Sequence, residues 1–215
     1  HSGISFRKGT PVIDSLGQHN TREGCAVISD KKTGALLFYS DGETIWNRNH
    51  EVMNNGTKLK GGGSSTQSVL IVPDPGNSLQ YYVFTTSENE SIESALYFSI
   101  VSLEDPDGLV VSKNNFLINN IAEKLTGTID CPGTGYWVIT HHRYDNTFYS
   151  FQITKSGVST IPVISTYTSE MKGFIGGYMK LSPDNTKLAL AAIIYYYNSK
   201  IKESSYVALY DFDAS

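Results

Sequence analysis

Short apolar runs recur along the chain, each ending at an aspartate before a polar turn and a second apolar run. The run 25–30 ends at Asp30, turns over 31–34 and resumes over 35–40. The same layout is found at 68–74 with Asp74, at 124–130 with Asp130 and at 178–184 with Asp184, followed by second runs over 79–86, 136–140 and 187–191. Runs of this length rich in Val, Ile, Tyr and Phe predict strands, so each copy reads as a β-hairpin. Further strand-like runs follow at 44–47 and 51–53, at 95–101 and 109–112, at 147–153 and 160–164, and at 206–210. Alternation is clearest in Thr147-Phe-Tyr-Ser-Phe-Gln-Ile153. Pro75-Gly76, Asp107-Gly108 and Ser156-Gly157 supply turn chemistry between runs. No segment has the 3.6-residue period of an amphipathic helix.

The four aspartates are spaced by 44, 56 and 54 residues. A four-stranded propeller blade takes about 40–50 residues. The expected fold is therefore all-β, a β-propeller of four-stranded antiparallel blades, about four of them in this chain. Residues 1–215 read as a single propeller domain or propeller segment, with blades at 17–60, 61–120 and 121–172 and an incomplete blade at 173–215. Residues 1–16 hold two short runs, 3–6 and 10–13, expected to be the outer strands of a preceding blade. An open array exposes strand edges, so the chain reads as part of a larger propeller. A small closed ring of four or five blades is the alternative. Trp46 and Trp137, each flanked by β-formers, are expected in packed layers.

Several segments stand together in a recognisable order: Asn20-Thr-Arg-Glu-Gly-Cys-Ala-Val-Ile-Ser-Asp30, Leu37-Phe-Tyr-Ser-Asp-Gly42, Ile45-Trp-Asn-Arg-Asn-His50 and Ser64-Ser-Thr-Gln-Ser68. Tyr81-Tyr-Val-Phe-Thr85, Glu123-Lys-Leu-Thr126, Tyr136-Trp-Val-Ile-Thr-His141 and Tyr178-Met-Lys-Leu-Ser-Pro-Asp184 follow. From about residue 3 to 212 the chain resembles the N-terminal propeller region of large secreted Bacteroidota surface proteins that end in a gliding-motility-associated, type IX secretion sorting domain. The stretch 182–189 is also similar to a turn of WD40-like and TolB-like propellers. The resemblance implies a propeller fold, a secreted or cell-surface location and a longer polypeptide around this chain. It implies no particular reaction.

Composition agrees with a β protein, since 14 Tyr and 9 Phe outnumber 3 Met. Lys plus Arg is 17 and Asp plus Glu is 21, a net charge of −4 that gives no electrostatic reason for a nucleic-acid partner. No apolar run is long enough to span a bilayer. Cys25 and Cys131 are too few for a disulfide framework and read as partly buried thiols.

Catalytic chemistry is poorly supported. The repeated aspartates suit turn-fixing better than calcium binding. His141 and His142 are adjacent on a strand and point to opposite faces, so they cannot chelate one metal together. Gly61-Gly-Gly63-Ser64 lacks both a nucleophile elbow and a phosphate-loop ending. Tyr195-Tyr-Tyr197 reads as a continuing strand rather than a sugar-stacking platform. No cofactor or metal is expected.

In a propeller the connections into the innermost strands emerge on one face. They bring together Asn20, Arg22, Glu23, Thr66, Gln67, His141, His142 and Arg143, the candidate ligand-binding set, with Glu88, Glu90 and Tyr197 farther round. Polar loops on a rigid scaffold are a common place for binding, although loops are also polar because they are solvated. The function expected from sequence is a non-catalytic binding or adhesion module for a glycan or protein. A polysaccharide lyase or hydrolase with a rim active site is the first alternative, and a structural spacer the second.

Overall fold

The computed structural model describes residues 3–6, 9–88, 94–168, 176–195 and 203–215. The chain is all-β, built of antiparallel sheets, with no helix among the described residues. β1 (Gly3–Ser5) and β2 (Val12–Asp14) form a lone hairpin. β3 (Ala26–Ser29), β4 (Leu36–Ser40) and β5 (Ile45–Asn47) form a first larger sheet. β6 (Val69–Asp74), β7 (Asn77–Thr86), β8 (Ala95–Ser102) and β9 (Leu109–Asn119) form a second. The third holds β10 (Ile121–Ile129), β11 (Tyr136–His142) and β12 (Thr147–Thr154), with β13 (Gly157–Val158) and β14 (Val163–Thr166) both pairing to β12. The fourth is β15 (Met179–Leu181), β16 (Lys187–Tyr195) and β17 (Glu203–Asp211).

Consecutive strands pair in every sheet, except that β14 returns to β12 in the third. In the four larger sheets the first two strands are joined at an aspartate turn. Asp30 Oδ1 accepts the Thr33 amide at 2.7 Å, Asp74 Oδ1 the Gly76 amide at 2.7 Å, Asp130 Oδ1 the Thr134 and Gly135 amides at 2.8 and 2.9 Å, and Asp184 Oδ1 the Thr186 amide at 3.1 Å. A carboxylate that satisfies turn amides fixes where one strand stops and the next begins.

The first strands of successive sheets lie side by side: β3 against β6, β6 against β10, and β10 against β15. An apolar layer fills each gap. Phe38, Ile45, Val69 and Val83 pack between the first and second sheets. Val72, Phe84, Leu96, Val138 and Phe151 pack between the second and third. Ile139, Phe148, Met179 and Leu190 pack between the third and fourth. Strand alternation explains the sharing. On β7, Val83 faces one neighbour while Phe84 faces the other, and on β11 Val138 and Ile139 divide in the same way. Strands buried on both faces read as unbroken apolar runs.

Both tryptophans are buried. Trp46 stacks on Tyr39 at 5.4 Å, and the Trp137 indole N–H donates to the Ala214 carbonyl at 3.1 Å. The outer strands depart from expectation. Residues 51–53 make only a single bridge, Trp46 to Val52. The run 160–164 was expected as one strand, yet the outer position is split between β13 and β14, because Pro162 has no amide to give a ladder. β9 runs on to Asn119 through register shifts against β8, where Asn114 takes a positive φ and its amide bonds Ser99 Oγ at 3.1 Å. Cys25 and Cys131 are exposed and unpaired rather than partly buried, since both fall in segments that flank strands.

Candidate functional site

The segments leading into β3, β6, β10 and β15 are laced together. The Arg22 amide donates to the Gly63 carbonyl at 3.1 Å, Thr21 Oγ1 donates to the same carbonyl at 3.1 Å, and the Gly24 amide donates to the Ser65 carbonyl at 3.2 Å. Segments 21–24 and 63–65 therefore run together as one layer. The glycine run has a packing reason. A Cβ on Gly61 would meet the Gly42 carbonyl oxygen at 2.4 Å, and one on Gly62 would meet Glu88 Cβ at 2.7 Å.

Thr66 and Gln67 carry this layer across to the later sheets. The Thr66 amide and hydroxyl both donate to Glu123 Oε2, at 3.1 and 3.0 Å. The Gln67 side chain acts like a short piece of strand. Its Oε1 accepts the Met179 amide at 2.7 Å and the Leu125 amide at 3.3 Å, while its Nε2 donates to the Met179 carbonyl at 3.1 Å. One glutamine at the start of β6 thus joins β10 and β15. Both residues are engaged by the scaffold, so their ligand-facing capacity is small.

The ladder slips between Ile121 and Leu125, which lets the neighbouring Glu123 and Lys124 both be enclosed. Lys124 Nζ donates to the Gly176 carbonyl at 2.7 Å. Burial draws its ammonium down to about 8. Adjacent charges at a strand start look solvated in the sequence, so composition gives no sign of this buried pair.

His141 to Arg143 lie at the same end of the third sheet as the entry to β10, since His142 pairs with Ile121 and the Arg143 amide donates to the Asn120 carbonyl at 2.7 Å. Their side chains diverge. His141 is fully buried, its ring 4.8 Å from Phe148 and its Nε2 3.1 Å from the Tyr167 hydroxyl. Burial pushes its imidazole down to about 4, so it is neutral at pH 7. It is a core histidine of the layer between the third and fourth sheets. His142 is half-buried and pairs with Asp145 at 3.0 Å, and the Arg143 guanidinium lies over the Tyr144 ring at 5.4 Å. Of the eight candidates, Asn20, Arg22 and Glu23 are exposed, Thr66, Gln67, His142 and Arg143 are half-buried, and His141 alone is buried. Glu90 and Tyr197 lie outside the described residues.

A carboxylate group beside this layer escaped the candidate set. Glu43 is exposed, yet partial desolvation by its surroundings lifts its carboxyl above the ordinary range, and the Asp41 and Glu88 carboxylates add to the effect. Glu88 Oε2 accepts the Ser64 hydroxyl at 2.8 Å. Glu43 follows the turn Asp41-Gly42 between β4 and β5, where Asp41 Oδ1 accepts the Glu43 amide at 3.0 Å. Only the fold brings it near Glu88. Among the described residues, no three His, Cys, Asp or Glu side chains converge to hold a metal ion. No described helix is long and apolar enough to cross a membrane.

No family model matches this sequence, and no curated protein matches it. Among solved structures it is similar to the crystal structure of endo-arabinase from Bacteroides thetaiotaomicron VPI-5482. The sequences are 14% identical, the match covers 88% of this chain and 76% of that one, and the TM-score is 0.45.

Proposed function

We propose that the four larger sheets are blades of a β-propeller and that the chain is a non-catalytic binding or adhesion module of a secreted or cell-surface protein. Its ligand is a glycan or a protein, met by polar groups on the face where the chain enters the first strands. The observation that carries this reading is the lacing of that face. Arg22 to Gly63, Thr66 to Glu123 and Gln67 to Met179 tie segments from all four sheets into one layer. Binding to such a layer costs little ordering entropy. The exposed Asn20, Arg22 and Glu23 and the half-buried His142 and Arg143 border this layer and present the polar groups that would meet the ligand. The family resemblance supports the extracellular location, export by type IX secretion and continuation into a longer polypeptide.

A second reading rests on Glu43. A carboxyl raised by its surroundings with other carboxylates nearby is one feature that a general acid in glycoside hydrolysis shares. A hydrolase or lyase acting on polysaccharide would centre on Glu43 and Glu88.

A glycan array probed with the chain and with an Arg22→Ala/Glu23→Ala/His142→Ala variant tests the binding reading. The variant is expected to keep its melting temperature and lose the array signal. Equal signals from both proteins move the site elsewhere.

A further inference from the structure

The turn between β11 and β12, residues 143–146, stands on the face where the chain enters the first strands, and it is tied down at both ends. The Arg143 amide donates to the Asn120 carbonyl at 2.7 Å, and the Tyr167 amide donates to the Asn146 carbonyl at 3.1 Å. A turn fixed in this way gives up little freedom when it meets a ligand.

Arg143 is the unmet group of this turn. The residue is half-buried, and its Nε is enclosed with no acceptor. The guanidinium makes no hydrogen bond or ion pair with any described residue. The acid beside it is engaged elsewhere, since Asp145 Oδ1 lies 3.0 Å from His142 Nδ1. An arginine carries several donors and a permanent charge. Drawing them partly out of water without an acceptor is unfavourable. What the guanidinium does meet is an aromatic face, for it lies over the Tyr144 ring at 5.4 Å from its centre.

Tyr144 is the open ring of the group. It is 56% exposed, while Phe148 and Tyr167, at the same end of the sheet, pack into the apolar layer between the third and fourth sheets. The His142 ring meets Tyr144 edge-on at 6.0 Å and Tyr149 of β12 edge-on at 6.1 Å. A chain of rings therefore links the exposed tyrosine to the strand. Tyrosine offers a flat apolar face with a polar tip. Peptides are commonly bound along a strand edge or in an apolar groove. One open ring beside one unmet cation suits a sugar residue that carries an oxyanion.

We propose that Tyr144 and Arg143 bind an anionic sugar residue, with the sugar ring on Tyr144 and its carboxylate or sulfate accepting hydrogen bonds from the Arg143 guanidinium. This rests on the binding reading above and narrows its ligand to an acidic polysaccharide. Charge-assisted bonds to arginine are strong and directional. The chain as a whole carries a net charge of −4, so the attraction is local to the turn and is no general affinity for anions.

Calorimetric titration of the chain with polygalacturonate, dextran sulfate and neutral dextran tests the assignment. The parent is expected to bind an acidic polymer and not dextran, and whichever acidic polymer binds names the oxyanion. Arg143→Gln and Tyr144→Ala are each expected to weaken that binding about tenfold or more. Their melting temperatures stay unchanged, because neither side chain bonds the scaffold. Arg143→Lys keeps the charge without the planar fork and is expected to recover only part of the affinity. Binding of neither acidic polymer overturns the inference. So does an acidic polymer that binds Arg143→Lys and Tyr144→Ala as tightly as the parent, since that is diffuse charge attraction. Neutral glycans held on a glycan array by the parent and both variants alike overturn the inference alone, whereas an array with no signal at all removes the binding reading as well.

Discussion

Gln67 shows how a residue chosen for a binding role is used by the fold. Its amide group is the shape of a peptide, and it bonds Met179 through both its donor and its acceptor. Replacing it with Ala removes three hydrogen bonds at a junction of three sheets. The expected loss is about 2–4 kcal/mol of unfolding free energy, read by urea denaturation, with Gln67→Glu recovering only the acceptor half. His141 makes a second prediction through its proton. Its imidazole sits near 4 in the folded chain, against roughly 6.5 when exposed. Unfolding therefore takes up a proton between those values, so the contribution is complete above about pH 6.5 and is lost as pH falls towards 4. The full window is worth about 3 kcal/mol. His19, also lowered chiefly by burial, acts in the same sense. Urea midpoints measured from pH 7 down to 4.5 should fall more steeply in the parent than in His141→Phe. Equal slopes would show that His141 does not set the pH dependence. Gln67 precedes β6 and His141 stands near the end of β11, strand-end positions that the sequence pattern suggests. The pattern could not say which way His141 points, because adjacent strand residues are equivalent until the layers that cover them are known.

The aspartate turns made the hairpins readable, because a carboxylate that caps turn amides marks a strand end by chemistry as well as by pattern. All four inner strands, β3, β6, β10 and β15, pair with the strand beyond their aspartate. Asp130 is the most enclosed of the four and accepts two amides. Asp130→Ala is expected to cost about 2–3 kcal/mol in chemical denaturation, and Asp130→Asn less, because the amide oxygen still accepts. The outer strands were harder to read. They pack on one side only, so Pro162, the slipped register of β8 and β9, and the covering loop 54–60 decide their extent. None of these has a periodic signature. The enclosure of Glu123 and Lys124 was invisible for the same reason, since it depends on a slipped ladder between Ile121 and Leu125.

Taken as a molecule, the chain sets four antiparallel sheets side by side, with apolar layers between them and a laced polar layer at one end of their first strands. The proposal that this layer binds a ligand without transforming it sets Asn20, Arg22, Glu23, His142 and Arg143 against the carboxylates Glu43 and Glu88. The two readings part in a single measurement. The chain is incubated with a panel of soluble polysaccharides, and the same samples are assayed for retained polysaccharide and for new reducing or unsaturated ends. The binding reading predicts retention on at least one polysaccharide, lost in Arg22→Ala/Glu23→Ala/His142→Ala, with no new ends at any time. New ends that accumulate with the parent chain and vanish in Glu43→Gln would contradict it and make the chain an enzyme.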